Sequence, residues 1–404
     1  MPQISIETII KQAKAAQTEF ETAGQEVVDE LITGLAWALI EPETNRSLSN
    51  QAVHDTGLGN ADDKFTKNYR KTLGLLRDLK NTPSVGMIKE IPEKGLVEIA
   101  RPVGVVGAVT PSTNPIATPL NNTINAIKGR NSIILSPSPK GDAVCELIVE
   151  ILQKVLVRLG HPKHLIQKIP SPASKEATNT LMQSVDLVVV TGSEKNVSSA
   201  YRSGTPAIGV GVGNVAVIID ETADLASAAS KVVTSKIFDN ATSCSSENSL
   251  VIVDDVYENA IEALQEEGGV LLDHEETQEL KDNLWIQGKL NPHLIAKSAS
   301  EIATVVGFQR PEMKQAKMLM VEETGTGSEH PFSGEKLSPV LTLYRAENFE
   351  NACQKIIELY EFQGKGHSVG LHSKDETRPL EMGLNLPACR VIVNQPHCLA
   401  TGGS

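Results

Sequence analysis

The chain has 404 residues, a length that suits two or three domains better than one. Its net charge of −13 and the lack of a run rich in Lys and Arg argue against nucleic acid or an anionic membrane surface as partner. The sequence has no apolar run long enough to cross a bilayer and no signal peptide. Five scattered cysteines without a C-x-x-C spacing predict a reducing, cytoplasmic compartment, with neither disulfides nor a metal site.

The first part of the chain has the pattern of helices followed by a hairpin. Ser5 is a candidate N-cap, and helices are predicted there and over 25–38 and 62–79. From Met87 to Ala100 the apolar period changes to two, around a turn at Pro92–Gly95. A hairpin with open edges predicts pairing with another subunit.

From Val103 onward, short apolar strands alternate with helices, which predicts a doubly wound parallel sheet. The expected strands cover 103–109, 132–135, 165–169, 186–190 and 215–219, and the expected helices cover 118–128, 142–159, 175–182 and 195–203. Ligands bind such sheets beyond the carboxyl ends of the strands. The turn at Gly192 and Ser193 lies there and opens a helix that can hold a phosphate. The sequence has no G-x-G-x-x-G motif, so the nucleotide signal from motifs alone is weak.

A second α/β unit is predicted after residue 244. Its expected strands cover 249–253, 318–321, 340–344, 368–371 and 390–393, and its expected helices cover 258–265, 275–285, 300–306 and 349–360.

Cys244 lies in a polar loop of small residues between a predicted helix (225–237) and the strand that begins at Ser249. A thiolate attacks a carbonyl carbon well, and the backbone N–H groups of such a turn can hold the resulting oxyanion. The alternative is a cysteine that acts only as a small hydrophobic residue.

Five ordered stretches extend this hypothesis, because together they resemble the aldehyde dehydrogenase superfamily. They are RPVGVVG from Arg101, TPSTNP from Thr110, the Cys244 loop, EKLSPV from Glu335 and GKGHS from Gly364. More narrowly they are similar to its coenzyme-A-acylating branch, which includes the acylating succinate-semialdehyde, sulfoacetaldehyde and acetaldehyde dehydrogenases. The resemblance covers nearly the whole chain.

The resemblance implies three catalytic residues. Cys244 matches the nucleophile that forms a thiohemiacetal and then a thioester. Asn114 matches the amide that stabilises the oxyanion together with the backbone N–H of Cys244, and as a lone residue before proline it would otherwise be a turn residue. His367 matches a histidine placed near the thiol, with a purely structural histidine as the alternative.

The resemblance also implies cofactor contacts. Glu335 matches the carboxylate that holds the nicotinamide ribose, with a solvated surface residue as its alternative. Gly192 and Ser193 match the turn against the pyrophosphate, and Thr110 and Pro111 belong to a matching cofactor-binding motif.

Two departures from the family pattern are informative. Hydrolytic members carry a glutamate that activates water where this chain has Val210, and a valine cannot take a proton. Members that prefer NAD place a carboxylate near the adenine ribose, where this chain has Ser136, Ser138 and Lys140. Without that carboxylate we expect NADP to be accepted, with Lys140 pairing with the 2′-phosphate, and NAD to remain possible.

The sequence therefore predicts an α/β protein with a Rossmann-type NAD(P)-binding domain (1–86 and 104–238), an oligomerisation hairpin (87–103) and a catalytic α/β domain (239–404). The expected reaction oxidises an aldehyde to acyl-CoA with NAD(P)+ and coenzyme A, in a homodimer or homotetramer. Sulfoacetaldehyde and succinate semialdehyde are candidate substrates. His397, Lys336 and Arg202 are candidate contacts for their anionic group, with a surface position as the alternative for each.

Two other functions remain open at this point. A hydrolytic aldehyde dehydrogenase would release a carboxylic acid, and a non-catalytic self-assembling protein could use the same fold. The family's chains continue for roughly fifty residues beyond the segment that matches Thr401–Gly403, as the resemblance implies, so we expect this form to lack a tail that closes the catalytic domain.

Overall fold

The computed structural model describes residues 5–400, which form two compact units. The first unit comprises the chain up to Gly57 together with Ala61–Gly211, and the second comprises Leu58–Asn60 and the chain from Val212 onward.

The first unit is built around a parallel sheet. In the described chain its strands follow the order β5-β4-β3-β6-β7, and all neighbours are parallel. The strands are β3 (Val105–Thr110), β4 (Ser132–Pro137), β5 (Ile166–Lys168), β6 (Leu187–Thr191) and β7 (Ala207–Val210). The helices are α1 (Ile6–Phe20), α2 (Gln25–Ile40), α3 (Pro42–Thr56), α4 (Ala61–Leu79), α5 (Ala117–Lys128), α6 (Asp142–Arg158), α7 (Lys175–Ser184) and α8 (Glu194–Tyr201). The predicted doubly wound, Rossmann-type sheet is thus confirmed.

Local chemistry explains most of these elements. Ser5 caps α1 as predicted, because its hydroxyl accepts the backbone N–H of Thr8. Helix α3 was missed because its sequence is mostly polar and its buried apolar side chains are limited to Leu48 and Ala52 among the described residues. Strand β7 was not predicted, because it is only four residues long and Gly209 interrupts its apolar run.

The predicted hairpin is present as the antiparallel pair β1 (Gly86–Ile91) and β2 (Leu96–Ala100). Its turn is a single 3₁₀ turn that ends at Gly95, whose φ of 62° lies in the left-handed region that favours glycine. Three of its apolar side chains are more than half exposed: Met87 (62%), Leu96 (53%) and Ile99 (60%). Single exposed apolar residues are common on protein surfaces, whereas several on one hairpin indicate an interaction surface.

The second unit has a larger parallel sheet, with the order β10-β13-β14-β9-β8-β15-β16 in the described chain. Its strands are β8 (Val215–Ile219), β9 (Glu247–Val253), β10 (Gly269–Leu271), β13 (Met318–Glu322), β14 (Val340–Ala346), β15 (Ser368–His372) and β16 (Arg390–Val393). A short hairpin, β11 (Trp285–Ile286) and β12 (Lys289–Leu290), lies outside this sheet. The helices are α9 (Leu225–Ile237), α10 (Tyr257–Glu266), α11 (His274–Leu284), α12 (Ala299–Val306), α13 (Phe349–Phe362), α14 (Arg378–Asn385) and α15 (His397–Ala400).

The predicted domain boundary after residue 238 differs from this division. Strand β8 was assigned to the first domain, whereas it pairs with β9 and β15 in the second sheet, and α9 follows it there. The sequence pattern of β8 is that of any buried parallel strand, so the pattern could not show which sheet it joins. The structure divides the chain after Gly211 instead.

Candidate active site

The carboxyl edge of the first sheet collects most of the predicted cofactor residues. Thr110 is paired with Pro137, and Val109 is paired with Val190, so the loops that follow β3, β4 and β6 leave the sheet at one edge. The backbone N–H of Ser138 donates to the carbonyl of Thr110 at 3.0 Å and joins two of these loops. The predicted residues at this edge are Thr110, Pro111, Asn114, Ser136, Ser138, Lys140, Gly192 and Ser193.

Several of these side chains already have a structural contact. Ser136 is buried, and its hydroxyl lies 2.8 Å from that of Thr178. Ser193 caps α8 by accepting the backbone N–H of Asn196. By contrast, the buried hydroxyl of Ser138 has no hydrogen-bond partner within residues 5–400, and Lys140 is exposed. A free hydroxyl, an exposed cation and a helix N-terminus fit the phosphates and ribose of a dinucleotide.

The second site lies at the amino edge of the other sheet. Val215 is paired with Glu247 where β8 and β9 begin, and β14 and β15 run parallel to these strands in the same sheet. The segments that lead into these strands therefore meet at one edge. They contain Gly213, Cys244, Glu335 and His367.

A tight turn presents Cys244. Asp239, Asn240 and Ala241 have φ angles of 51°, 50° and 59°, a left-handed run that is costly for residues other than glycine. The buried carboxylate of Asp239 offsets this cost, because it accepts the N–H of Asn60 at 2.9 Å and the hydroxyl of Thr242 at 2.5 Å. The turn leaves Cys244 exposed, as a nucleophile requires.

The carbonyl of Cys244 lies directly against Gly213. A Cβ atom added to Gly213 would be 2.2 Å from this oxygen, closer than real Cβ atoms approach. The glycine is therefore required for the backbone before β8 to pass beneath the cysteine turn.

Asn248 joins the cysteine turn to the predicted cofactor carboxylate. Its amide donates to the carbonyl of Ser246 at 3.1 Å, and its oxygen accepts the backbone N–H of Lys336 at 3.1 Å. The neighbouring residue, Glu335, is half-buried, and burial together with Cys244 raises the pKa of its carboxyl to about 8. Glu335 is therefore not the solvated surface residue that was its alternative.

His367 lies immediately before β15 and is half-buried. Its Nδ1 lies 3.0 Å from the hydroxyl of Ser368, and its carbonyl accepts the backbone N–H of Cys389 at 2.7 Å. The first contact orients the ring, and the second holds the backbone at the start of β15, the strand that pairs with β8.

Two buried ionisable residues at this edge were missed from the sequence. Lys236 is fully buried in the last turn of α9, and Glu247 is 1% exposed at the start of β9. Burial lowers the pKa of Lys236 to about 7 and raises that of Glu247 to about 7. A signal existed, because Lys236 follows Val232 and Val233 at helical spacing on the buried face of α9.

The three candidate contacts for an anionic substrate lie in different surroundings. Lys336 and His397 are fully buried, so a surface position is wrong for both, whereas Arg202 is exposed. The ammonium of Lys336 donates to the carbonyls of Phe332 and Gly334, and burial lowers its pKa. Burial also lowers the pKa of His397 to about 3, which leaves its ring uncharged.

Residues 5–400 contain no His, Cys, Asp and Glu cluster suited to a metal ion, and none of their helices is long and apolar enough to cross a membrane. The five cysteines, all within residues 5–400, form no disulfide bonds with one another.

Comparison with known proteins gives consistent matches over almost the entire chain. The model of the aldehyde dehydrogenase family matches residues 3–273. An acylating sulfoacetaldehyde dehydrogenase of Cupriavidus necator is 54% identical over 400 residues, which cover 99% of this chain and 81% of the relative.

Two solved structures are similar in fold. An acetylating aldehyde dehydrogenase from Geobacillus thermoglucosidasius has a TM-score of 0.93 and 36% identity, over 98% of this chain and 87% of the other. A propionaldehyde dehydrogenase from Rhodopseudomonas palustris, solved with bound CoA and an acylated cysteine, has a TM-score of 0.88 and 27% identity, over 99% of this chain and 90% of the other. These matches confirm the resemblance predicted from the five motifs, and the chain belongs to the aldehyde dehydrogenase family.

Proposed function

We propose that this protein is a CoA-acylating aldehyde dehydrogenase that converts sulfoacetaldehyde to its CoA thioester with NAD(P)+, in the reducing, cytoplasmic compartment. One observation carries the proposal: the exposed Cys244 is presented by a rigid turn in a chain 54% identical to an acylating sulfoacetaldehyde dehydrogenase. Succinate semialdehyde, also a short aldehyde with an anionic end, is the second candidate substrate.

The proposed chemistry starts at the sulfur of Cys244. Its thiolate adds to the aldehyde carbon, and the amide of Asn114 together with the backbone N–H of Cys244 stabilises the oxyanion. The nicotinamide cofactor supplies a hydride acceptor when it is bound. Glu335 is proposed to hold the nicotinamide ribose, while Ser138, Lys140, Gly192 and Ser193 hold the remainder of the dinucleotide. Cys244 then carries an acyl group as a thioester.

Release of the acyl group distinguishes this proposal from hydrolysis. Val210 ends β7, is 43% exposed and has no group that can accept a proton. Water therefore lacks a general base at this position, whereas the thiolate of CoA is a good nucleophile without one. His367 is proposed to assist the attack of the CoA thiol.

The decisive experiment omits CoA. With aldehyde and NAD(P)+ alone, the enzyme is expected to form about one reduced cofactor per Cys244 and then nearly stop, because general-base assistance of water, typically worth about a hundredfold to ten-thousandfold, is missing. Adding CoA should restart turnover. A panel of aldehydes with CoA then identifies the substrate.

Steady turnover without CoA, at the rate seen with CoA, would instead establish the hydrolytic alternative. A chain that shows neither a burst nor protection of Cys244 from alkylation by aldehyde or cofactor would be an assembly protein.

The β1–β2 hairpin is proposed to pair between subunits in a homodimer or homotetramer. Its exposed apolar side chains and open strand edges support this role. Ile99→Glu is expected to shift the protein to smaller species in light scattering, because it places a charge on this surface. Val157→Glu is the matched control, since Val157 is similarly exposed (62%) but belongs to α6 and not to the hairpin. An unchanged mass for Ile99→Glu would contradict the role of the hairpin.

A further inference from the structure

The segment that carries Glu335 has no regular secondary structure, because residues 334–339 belong to neither a helix nor a strand. A side chain in such a segment is aimed only as well as neighbouring groups hold its backbone. Two side chains do so here. Asn248 accepts the backbone N–H of Lys336 at 3.1 Å, and Oε1 of Gln363 accepts the backbone N–H of Glu335 itself at 2.6 Å. The proposed reaction gives Gln363 no role.

Gln363 is anchored on its own side by backbone contacts. It follows the last residue of α13, and its N–H donates to the carbonyl of Leu359 at 2.9 Å. Its carbonyl accepts the side-chain amide of Asn214 at 3.2 Å. Asn214 is buried just before β8, and the same amide donates to the carbonyl of Ser333 at 2.8 Å. The amide of Asn214 therefore joins the backbone of Gln363 to the segment that leads into Glu335.

Two glycines leave the space for this arrangement. A Cβ atom added to Gly334 would lie 2.9 Å from Oε1 of Gln363, and one added to Gly364 would lie 2.8 Å from the Cβ of Asn214. Both distances are closer than real Cβ atoms approach. Gly364 also has a φ of 98°, in the left-handed region that favours glycine. The sequence thus permits Gln363 to lie directly against the segment of Glu335.

We propose that Gln363 is a positioning residue that aims the carboxylate of Glu335 at the nicotinamide ribose. By accepting the N–H of Glu335, it fixes the direction in which the Glu335 side chain leaves the backbone. The carboxylate can then accept hydrogen bonds from the ribose hydroxyls without first ordering its own segment, which lowers the entropic cost of binding. The inference rests on the proposed role of Glu335 in holding the nicotinamide ribose.

A thermodynamic cycle tests whether Gln363 acts through Glu335. Fluorescence titration gives the dissociation constants of NAD+ and NADP+, without aldehyde or CoA, for the wild type, Gln363→Met, Glu335→Ala and the double variant. Gln363→Met keeps the length of the side chain, removes the acceptor and is expected to weaken binding about five- to tenfold, as the loss of one hydrogen bond does. In the Glu335→Ala background the same change should have no effect, because the carboxylate that Gln363 aims is absent.

The reactivity of Cys244 separates positioning of Glu335 from general loosening of this edge. The rate of its alkylation by iodoacetamide is measured in the ligand-free protein, and peptide mass spectrometry separates it from the other cysteines. The rate should be the same in the wild type and in Gln363→Met, because the contacts of Asp239 that hold the cysteine turn are unchanged.

Gly334→Ala breaks the same contact from the other side, because its methyl group displaces the amide of Gln363. It should weaken dinucleotide binding as Gln363→Met does, and it replaces that variant in the cycle if Gln363→Met does not fold, as judged by thermal unfolding. Gln25→Met is the matched control. Gln25 is also half-buried, and its Oε1 accepts the backbone N–H of Ser84 at 2.8 Å in the first unit. This control should lower the thermal stability and leave both dissociation constants unchanged.

Wild-type dissociation constants in folded Gln363→Met, or an equal loss of affinity with and without the carboxylate of Glu335, would overturn the inference. A changed rate of Cys244 alkylation would also overturn it, because Gln363 would then support the whole edge. The expected cycle in a protein that forms no acyl-CoA would leave the inference intact and count against the proposed function. Normal acyl-CoA formation with an additive cycle would have the opposite meaning.

Discussion

The two parallel sheets of this protein present opposite edges for chemistry. The first sheet gathers its candidate residues after its strands; they are mainly neutral polar groups, and two of them, Gly192 and Ser193, lie at the start of α8. The second sheet gathers Cys244, Glu335 and His367 before its strands, at the end of α9. Helix N-termini favour phosphates, and helix C-termini favour cations. The first edge therefore suits a dinucleotide, whereas the second combines an exposed thiol with buried ionisable residues.

The largest effect is expected from removing the sulfur at the second edge. Cys244→Ala should reduce acyl-CoA formation to the background rate, because it removes the proposed nucleophile. Binding of NAD(P)+, measured by fluorescence titration, should remain, because the proposed dinucleotide contacts of the first edge are untouched. Cys353→Ala is the control and should retain activity, since Cys353 packs against the hydrophobic core on α13. Full turnover by Cys244→Ala would refute the mechanism.

The next largest effect on activity is expected from a change in the backbone at the second edge. Gly213→Ala places a methyl group against the carbonyl of Cys244, so the turn must shift. A displacement of about 1 Å can cost about a hundredfold in rate, and we expect a loss of that order in kcat. The matched control is Gly211→Ala, where an added Cβ would meet no atom within 4 Å. Equal kcat values for the two variants would show that the close approach has no catalytic consequence.

How much the sequence could predict differs between the two edges. The strands and helices around the first edge follow from apolar periodicity and caps, and the dinucleotide position follows from a general rule for open sheets. The amino-edge site could be placed only by resemblance, because Cys244, Glu335 and His367 are far apart in sequence and converge through strand register. Lys236 and Glu247 were missed since each looks like an ordinary charged residue until its burial is known.

The smallest effect is expected at the first edge, where a single exposed charge is changed. Lys140→Glu should shift the ratio of kcat/KM values for NADP+ and NAD+ towards NAD+ by about tenfold, or about 1.4 kcal/mol. The physical reason is that a carboxylate repels the 2′-phosphate and accepts a hydrogen bond from the 2′-hydroxyl. Lys154→Glu carries the same change of charge on the exposed surface of α6 and should leave the ratio unchanged.

The preference of the wild-type enzyme for NADP+ or NAD+ tests the proposed role of the loop after β4. Ser136 is buried and its hydroxyl is already bonded to Thr178, so discrimination in the loop after β4 is assigned to Ser138 and Lys140. A neutral hydroxyl and an exposed lysine give modest discrimination between NADP+ and NAD+, because an exposed ion pair is worth about 1 kcal/mol or less. Wild-type enzyme that excludes NADP+ by a hundredfold, about 2.7 kcal/mol, would contradict this interpretation. The discrimination would then have to come from residues outside this loop.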